Sequence, residues 1–104
     1  MKEKNKVFGL LGRNIDYSFS RGYFTEKFER EGINATYKNF DLQEISVLPE
    51  LLKNEQVFGL NVTIPYKEEI IPFLDDLDKT ARQIGAVNTI LFQNGKQIGY
   101  NTDC

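Results

Sequence analysis

An apolar run that passes without a turn into polar residues constrains this chain more than any other feature. Val57, Phe58, Leu60 and Val62 read as a buried strand. The same stretch, Gly59-Leu60-Asn61-Val62-Thr63-Ile64-Pro65-Tyr66-Lys67, ends it with an amide, a hydroxyl and an ammonium. In an open α/β sheet, small ligands bind outside the carboxyl ends of the strands, which is where those groups would sit. Strand side chains repeat every second residue, so Asn61 and Thr63 share one face. Val62 and Ile64 are expected on the other, towards the helices. Inward polar groups at a strand end need partners, since leaving one buried and unpaired costs about 1–3 kcal/mol.

Two more polar clusters follow, Gly85-Ala86-Val87-Asn88-Thr89 and Asn101-Thr102-Asp103. The Asn88 amide can donate and accept at once, matching a pair of ring hydroxyls. Gly85 and Ala86 are small enough to admit close approach. Asn101 and Thr102 are expected to shape the strand end. Upstream, Ser18-Phe19-Ser20 places hydroxyls at i and i+2 at the mouth of a helix. Both can donate to one carboxylate, and the helix N-terminus adds partial positive charge. A site built from the Asn, Thr, Lys and Asp of these clusters suits a polyhydroxylated small molecule. Each also has a plainer reading: Ser20 as an N-cap, Lys67 as a solvated first-turn residue, Asn88 as a turn residue and Asp103 as a helix cap.

The intervening pattern sets the fold. Val7 to Gly12 reads as a strand. A helix from Arg21, carrying Tyr23, Phe24 and Phe28 on one side, closes at Gly32. Ala35 to Phe40 alternates as a strand. Ser46 is expected to cap a helix over Val47 to Lys53, with Pro49 in its first turn. A strand over Val57 to Thr63 leads to a helix over Tyr66 to Leu74, and a second helix spans Asp75 to Ile84. Val87 to Phe92 and Gln97 to Tyr100 form two strands joined by Asn94-Gly95, a two-residue hairpin signal. The expectation is one α/β domain over residues 1–104: a three-layer sandwich with a mainly parallel sheet flanked by helices, and a C-terminal β-hairpin.

Composition removes several functions. With no His and one Cys among 104 residues, the usual general base, an intrachain disulfide and a cysteine metal cage are all absent. A net charge of −2, with Lys and Arg spread among acids, gives no footprint for nucleic acid. No apolar run approaches the roughly 20 residues of a bilayer span, so no membrane partner is expected. None of the eight glycines forms the Gly-x-Gly of a dinucleotide-phosphate turn. A cytoplasmic setting is the plain reading.

Taken together, Ser18-Phe19-Ser20, Asn61-Val62-Thr63-Ile64-Pro65-Tyr66-Lys67, Gly85-Ala86-Val87-Asn88-Thr89 and Asn101-Thr102-Asp103 resemble the substrate-binding domain of shikimate dehydrogenase, from about Val7 to Cys104. The resemblance implies reduction of 3-dehydroshikimate to shikimate with NADPH, on the route to chorismate and the aromatic amino acids. It implies Ser18 and Ser20 on the substrate carboxylate, with Asn61, Thr63 and Asn88 on or beside its hydroxyls. Lys67 becomes the general acid/base and Asp103 its partner. The family shows His before the first serine, where this chain has Tyr17. NADP(H) is expected on a Rossmann domain that follows in family members, with none on this chain, which alone is expected to be inactive. A homodimer is compatible with the resemblance. Rivals are a quinate or broader polyol-acid dehydrogenase, a stand-alone module binding hydroxy acids without catalysis, and an interaction domain whose polar clusters are only caps and turns.

Overall fold

The computed structural model describes residues 6–16, 20–53 and 56–102. Its strands are β1 Lys6–Gly12, β2 Ala35–Asp41, β3 Val57–Val62, β4 Asp76–Leu77, β5 Thr89–Gln93 and β6 Lys96–Tyr100. Its α-helices are α1 Ser20–Glu31, α2 Leu48–Lys53, α3 Tyr66–Glu69 and α4 Lys79–Ile84. One sheet runs in the order β2-β1-β3-β5-β6-β4. β1 pairs in parallel with β2 and β3, and β4 with β6, whereas β3–β5 and β5–β6 are antiparallel. The expected sandwich is present, hairpin included. Asn94 and Gly95 sit at φ 51° and 76°, the left-handed pair that a two-residue hairpin turn requires.

Strand alternation divides the core between the two faces of the sheet. Leu11, Phe40, Leu60, Val62 and Ile90 join Leu48, Tyr66, Ile70 and Ala81 in one cluster under α2, α3 and α4. Leu10, one residue before Leu11, points the other way, into a smaller cluster with Tyr37, Ile15, Phe24 and Phe28 beneath α1. Each fully buried large apolar side chain stabilises the fold by about 1.5–3 kcal/mol. Tyr66 buries its polar tip as well, with its hydroxyl donating to the Leu42 carbonyl.

Several local expectations are corrected. Ile64 is 75% exposed instead of facing the helices. β3 stops at Val62, so strand alternation does not reach Ile64. The helix expected over Tyr66 to Leu74 divides into α3 and a 3₁₀ turn at Ile71–Phe73. Pro72 lies in that turn and has no N–H to continue an α ladder. Asp75 to Ile84 is not one helix: Asp76 and Leu77 pair with Ile98 and Gly99 as β4. Asp78 then caps α4, its Oδ1 accepting the Ala81 N–H at 2.8 Å. Ser46 caps nothing; it lies in a 3₁₀ turn, Ile45–Val47, ahead of α2, although Pro49 does occupy the first turn of that helix. The last strand pair starts at Thr89 instead of Val87. On α1, Phe24 and Phe28 (i, i+4) pack on the sheet, while Tyr23, one position off that stripe, is 57% exposed.

Close packing in β1 yields a stability test. A Cβ on Gly9 would meet the Phe40 ring and lie 2.6 Å from the Lys38 carbonyl oxygen. Gly9→Ala is expected to destabilise the domain by about 1–3 kcal/mol. The readout is a lower urea midpoint with an unchanged slope.

Candidate functional site

Strand polarity gathers the polar clusters at one end of the sheet. β1 and β3 are parallel, with Leu11 opposite Val62 near their carboxyl ends. β5 runs against β3, so its first residue, Thr89, lies opposite Asn61. β6 reverses again, bringing Tyr100 opposite Thr89. Asn61 to Lys67, Asn88-Thr89 and Tyr100 to Thr102 therefore meet at the carboxyl ends of β1 and β3, and Ser20 opens the helix that follows β1. Backbone bonds lock the junction: Val62 N–H to Asn88 O at 2.8 Å, Val87 N–H to Lys67 O at 2.7 Å and Asn88 N–H to Tyr100 O at 2.9 Å.

Asn88 and Thr102 form a closed pair. Asn88 Oδ1 accepts the Thr89 hydroxyl at 3.0 Å and the Thr102 N–H at 3.1 Å. Asn88 Nδ2 donates to Thr102 Oγ1 at 3.1 Å. An amide oxygen offers two lone pairs and an amide nitrogen two hydrogens. In this arrangement Asn88 has a single N–H left to offer, to an acceptor. Asn101, 8% exposed, donates from Nδ2 to Ala86 O at 3.0 Å and shapes the strand end as expected. Gly85 serves its backbone conformation, since at φ 79° it closes α4 and a Cβ there would meet nothing within 4 Å.

Asn61 is half-buried and donates from Nδ2 to the Tyr37 hydroxyl at 2.9 Å. Burial raises the Tyr37 pKa above its ordinary value of 10.0, against a smaller opposing effect of that hydrogen bond, so the phenol is neutral at physiological pH. The methyl of Thr63 presses on Gly12, whose added Cβ would lie 2.6 Å from it. Lys67, in α3, lines a depression of about 400 Å³ with Ile64, Pro65, Glu68 and Glu69. A larger cavity of about 450 Å³ lies between α1 and the sheet, with Phe24, Phe28, Tyr37, Asn61 and Thr89 on its wall and neither Lys67 nor Asn88. Asn61 and Lys67 thus lie at one end of the sheet but line different concavities. Ser18 and Asp103 lie outside the described residues, so the Ser18–Ser20 and Lys67–Asp103 pairs do not enter this geometry.

Sequence reasoning missed two residues. The Asp41 carboxylate accepts the N–H groups of Asn14, at 2.9 Å, and Ile15, at 3.1 Å, holding the segment that leaves β1. Tyr37 reaches Asn61 from β2, with β1 between their strands. Asp41 only follows the strand pattern of Ala35 to Phe40 in the sequence, and Tyr37 is one residue of that pattern. Neither carries a local signal for a bond to a residue 24 or more positions away.

Among the described residues, no group of three or more His, Cys, Asp or Glu side chains is placed to hold a metal. A dinucleotide phosphate would need room at the turn between β1 and α1. There, the space a Gly12 Cβ would take is filled by Thr63 and Ile15, at 2.6 and 2.8 Å. The described residues at that turn do not fit that group. No described helix is long and apolar enough to cross a membrane.

This architecture, with polar groups converging where parallel strands end, defines a small-ligand-binding α/β domain. The pattern of the family described as shikimate dehydrogenase substrate binding domain matches residues 10–90. The chain belongs to that family. It is 41% identical over 104 residues to a shikimate dehydrogenase (NADP(+)) of Chlorobaculum tepidum, covering 97% of this chain and 35% of that enzyme. The crystal structure of shikimate dehydrogenase from Aquifex aeolicus superposes with a TM-score of 0.87 at 41% identity, over 99% of this chain and 40% of that one. A quinate dehydrogenase from Corynebacterium glutamicum, solved with NAD, gives a TM-score of 0.83 at 30% identity, over 95% of this chain and 38% of that one. The chain spans little more than a third of the length of the enzymes it matches.

The Asn88 network predicts a local stability cost. Asn88→Ala removes two hydrogen bonds to Thr102 and one from the Thr89 hydroxyl, and is expected to destabilise the fold by about 1–3 kcal/mol. Amide exchange at Thr102 should accelerate more than at Leu11, deep in the core.

Proposed function

We propose that this chain is the substrate-binding part of an NADP(H)-linked shikimate dehydrogenase acting in the cytoplasm, and that shikimate and 3-dehydroshikimate are its ligands. The observation that carries this reading is the meeting of Asn61, Thr63, Lys67 and Asn88 at one end of the sheet, in a chain of that family. In this reading Ser18 and Ser20 hold the carboxylate, while Asn61 and Asn88 address ring hydroxyls. The remaining N–H of Asn88 supplies a donor, so the hydroxyl oxygen facing it acts as acceptor.

Lys67 is assigned the proton chemistry. In reduction its ammonium gives a proton to the oxygen that becomes the hydroxyl, and in oxidation its amine takes that proton back. Asp103 is assigned to the same hydroxyl and to Lys67, where a charge-assisted contact would favour the protonated lysine. The nicotinamide nucleotide is assigned to polypeptide beyond this chain, which by itself is expected to have no dehydrogenase activity.

A titration of shikimate into the isotope-labelled chain tests the ligand. Saturable amide shifts are expected at Ser18 to Ser20, Asn61, Thr63 and Asn88. A folded sample that shows none at millimolar shikimate removes recognition from the isolated chain. The likeness to the quinate dehydrogenase structure favours one second reading, broader polyol-acid specificity. Equal affinity for quinate in the same titration would support it.

The proton role is tested after grafting residues 1–104 in place of the matching segment of the Chlorobaculum tepidum enzyme. Lys67→Ala in that chimera is expected to lower kcat by about 10²–10⁴-fold, the usual contribution of a general acid/base, with KM changed far less. Undiminished turnover removes Lys67 from the chemistry.

A further inference from the structure

Tyr37 lies outside all four polar clusters, yet it joins two of them. Its ring is 4% exposed and stacks on Phe24, with centroids 4.7 Å apart and planes at 20°. Phe24 sits one helical turn after Ser20, so the stack anchors the first turn of α1. The hydroxyl of the same ring receives Asn61 Nδ2 at 2.9 Å. β1 separates β2 from β3, with Phe8 opposite Tyr37 and Leu10 opposite Asn61, so the phenol spans the strand between them. Tyr37 and Asn61 line the same 450 Å³ cavity. A phenol this well buried needs a partner for its oxygen, and a backbone N–H or carbonyl elsewhere in the cluster would meet that need equally well. What a mere satisfied tyrosine does not require is that its partner be a strand-end asparagine, and its stacking partner the helix that begins with Ser20.

We propose that Tyr37 is a positioning residue for substrate binding: it sets the orientation of the Asn61 amide and fixes it relative to the first turn of α1. One Asn61 N–H is committed to Tyr37, which holds the amide plane and leaves the carbonyl oxygen and the second N–H to face a ligand. Without the phenol oxygen that plane is free to rotate, and binding must then order it. The inference rests on the reading of Asn61 as a ligand contact given above.

The test uses Tyr37→Phe, Asn61→Ala and the double variant of the 104-residue chain. Phenylalanine keeps the ring and its stack on Phe24 and removes only the oxygen. The first readout needs no ligand. The Asn61 side-chain amide signals are expected to shift in Tyr37→Phe, and the Tyr37 ring Cζ signal to shift in Asn61→Ala, each reporting the bond from one side. Unmoved signals in both overturn the proposal. The second readout is shikimate affinity, expected to weaken about 5–10-fold in Tyr37→Phe, the worth of one ordinary hydrogen bond. The double variant should bind no more weakly than Asn61→Ala alone. A full additive loss assigns Tyr37 a purely structural role and overturns the proposal. Absence of shikimate binding in the unmodified chain counts against the functional reading and not against the Tyr37–Asn61 bond, which the first readout decides.

Discussion

The pairing of β3 with a parallel strand on one side and an antiparallel strand on the other governs everything that can be called a site here. A wholly parallel sheet would put the start of β5 at the far end of the molecule from the end of β3. Because β5 runs against β3, Thr89 stands opposite Asn61, and because β6 reverses again, Tyr100 stands opposite Thr89. Segments 11 and 28 residues apart in sequence are thereby delivered to one end of the sheet by hydrogen bonds that also build it. The bonds of Val62 to Asn88, Val87 to Lys67 and Asn88 to Tyr100 then make the strand ends a single backbone unit. Disturbing the β3–β5 register by one residue would turn Asn61 to the opposite face of the sheet.

The polar side chains at this edge are more constrained than a list of residue types suggests. Asn88 spends both acceptor positions and one donor on Thr89 and Thr102, and Asn61 spends one donor on Tyr37. Such bonds hold each amide in place at little reorganisation cost when a ligand arrives, which is the physical content of preorganisation. They also narrow the chemistry on offer, leaving Asn88 a donor to whatever it meets. The price is rigidity of composition, since replacing either asparagine breaks contacts internal to the protein before any ligand is considered.

Much of the fold was legible in the sequence, for reasons that can be assigned. The run from Val57 to Val62, the alternation in Ala35 to Phe40 and the Asn94-Gly95 turn are local signals, and the structure follows them. The failures share a cause. Asp76 and Leu77 become a strand because β6 offers an edge there, and the exposed Ile64 leaves its expected face because the chain turns after Val62. Both outcomes depend on partners distant in sequence, which local propensity does not encode. The site shows the same division. Asn61, Thr63, Lys67 and Asn88 announce themselves by following apolar runs, whereas Tyr37 and Asp41 acquire their roles only through partners across the sheet.

The two faces of the sheet are unequally finished, and this bears on how the site works. The face under α2, α3 and α4 is closed by Leu48, Tyr66, Ile70 and Ala81, each at 1% exposure or less. The face under α1 has no helix residue buried to that degree, and the cavity opens beside it. The sheet, with its locked strand ends, is the rigid wall of that cavity. Helix α1 meets that wall through half-buried aromatics, Phe24 on Tyr37 and Phe28 near Phe8. Ring contacts of this kind contribute about 0.5–1.5 kcal/mol each beyond area burial, enough to seat a helix without welding it. The seat of α1 and the orientation of the Asn61 amide therefore share one phenol, that of Tyr37.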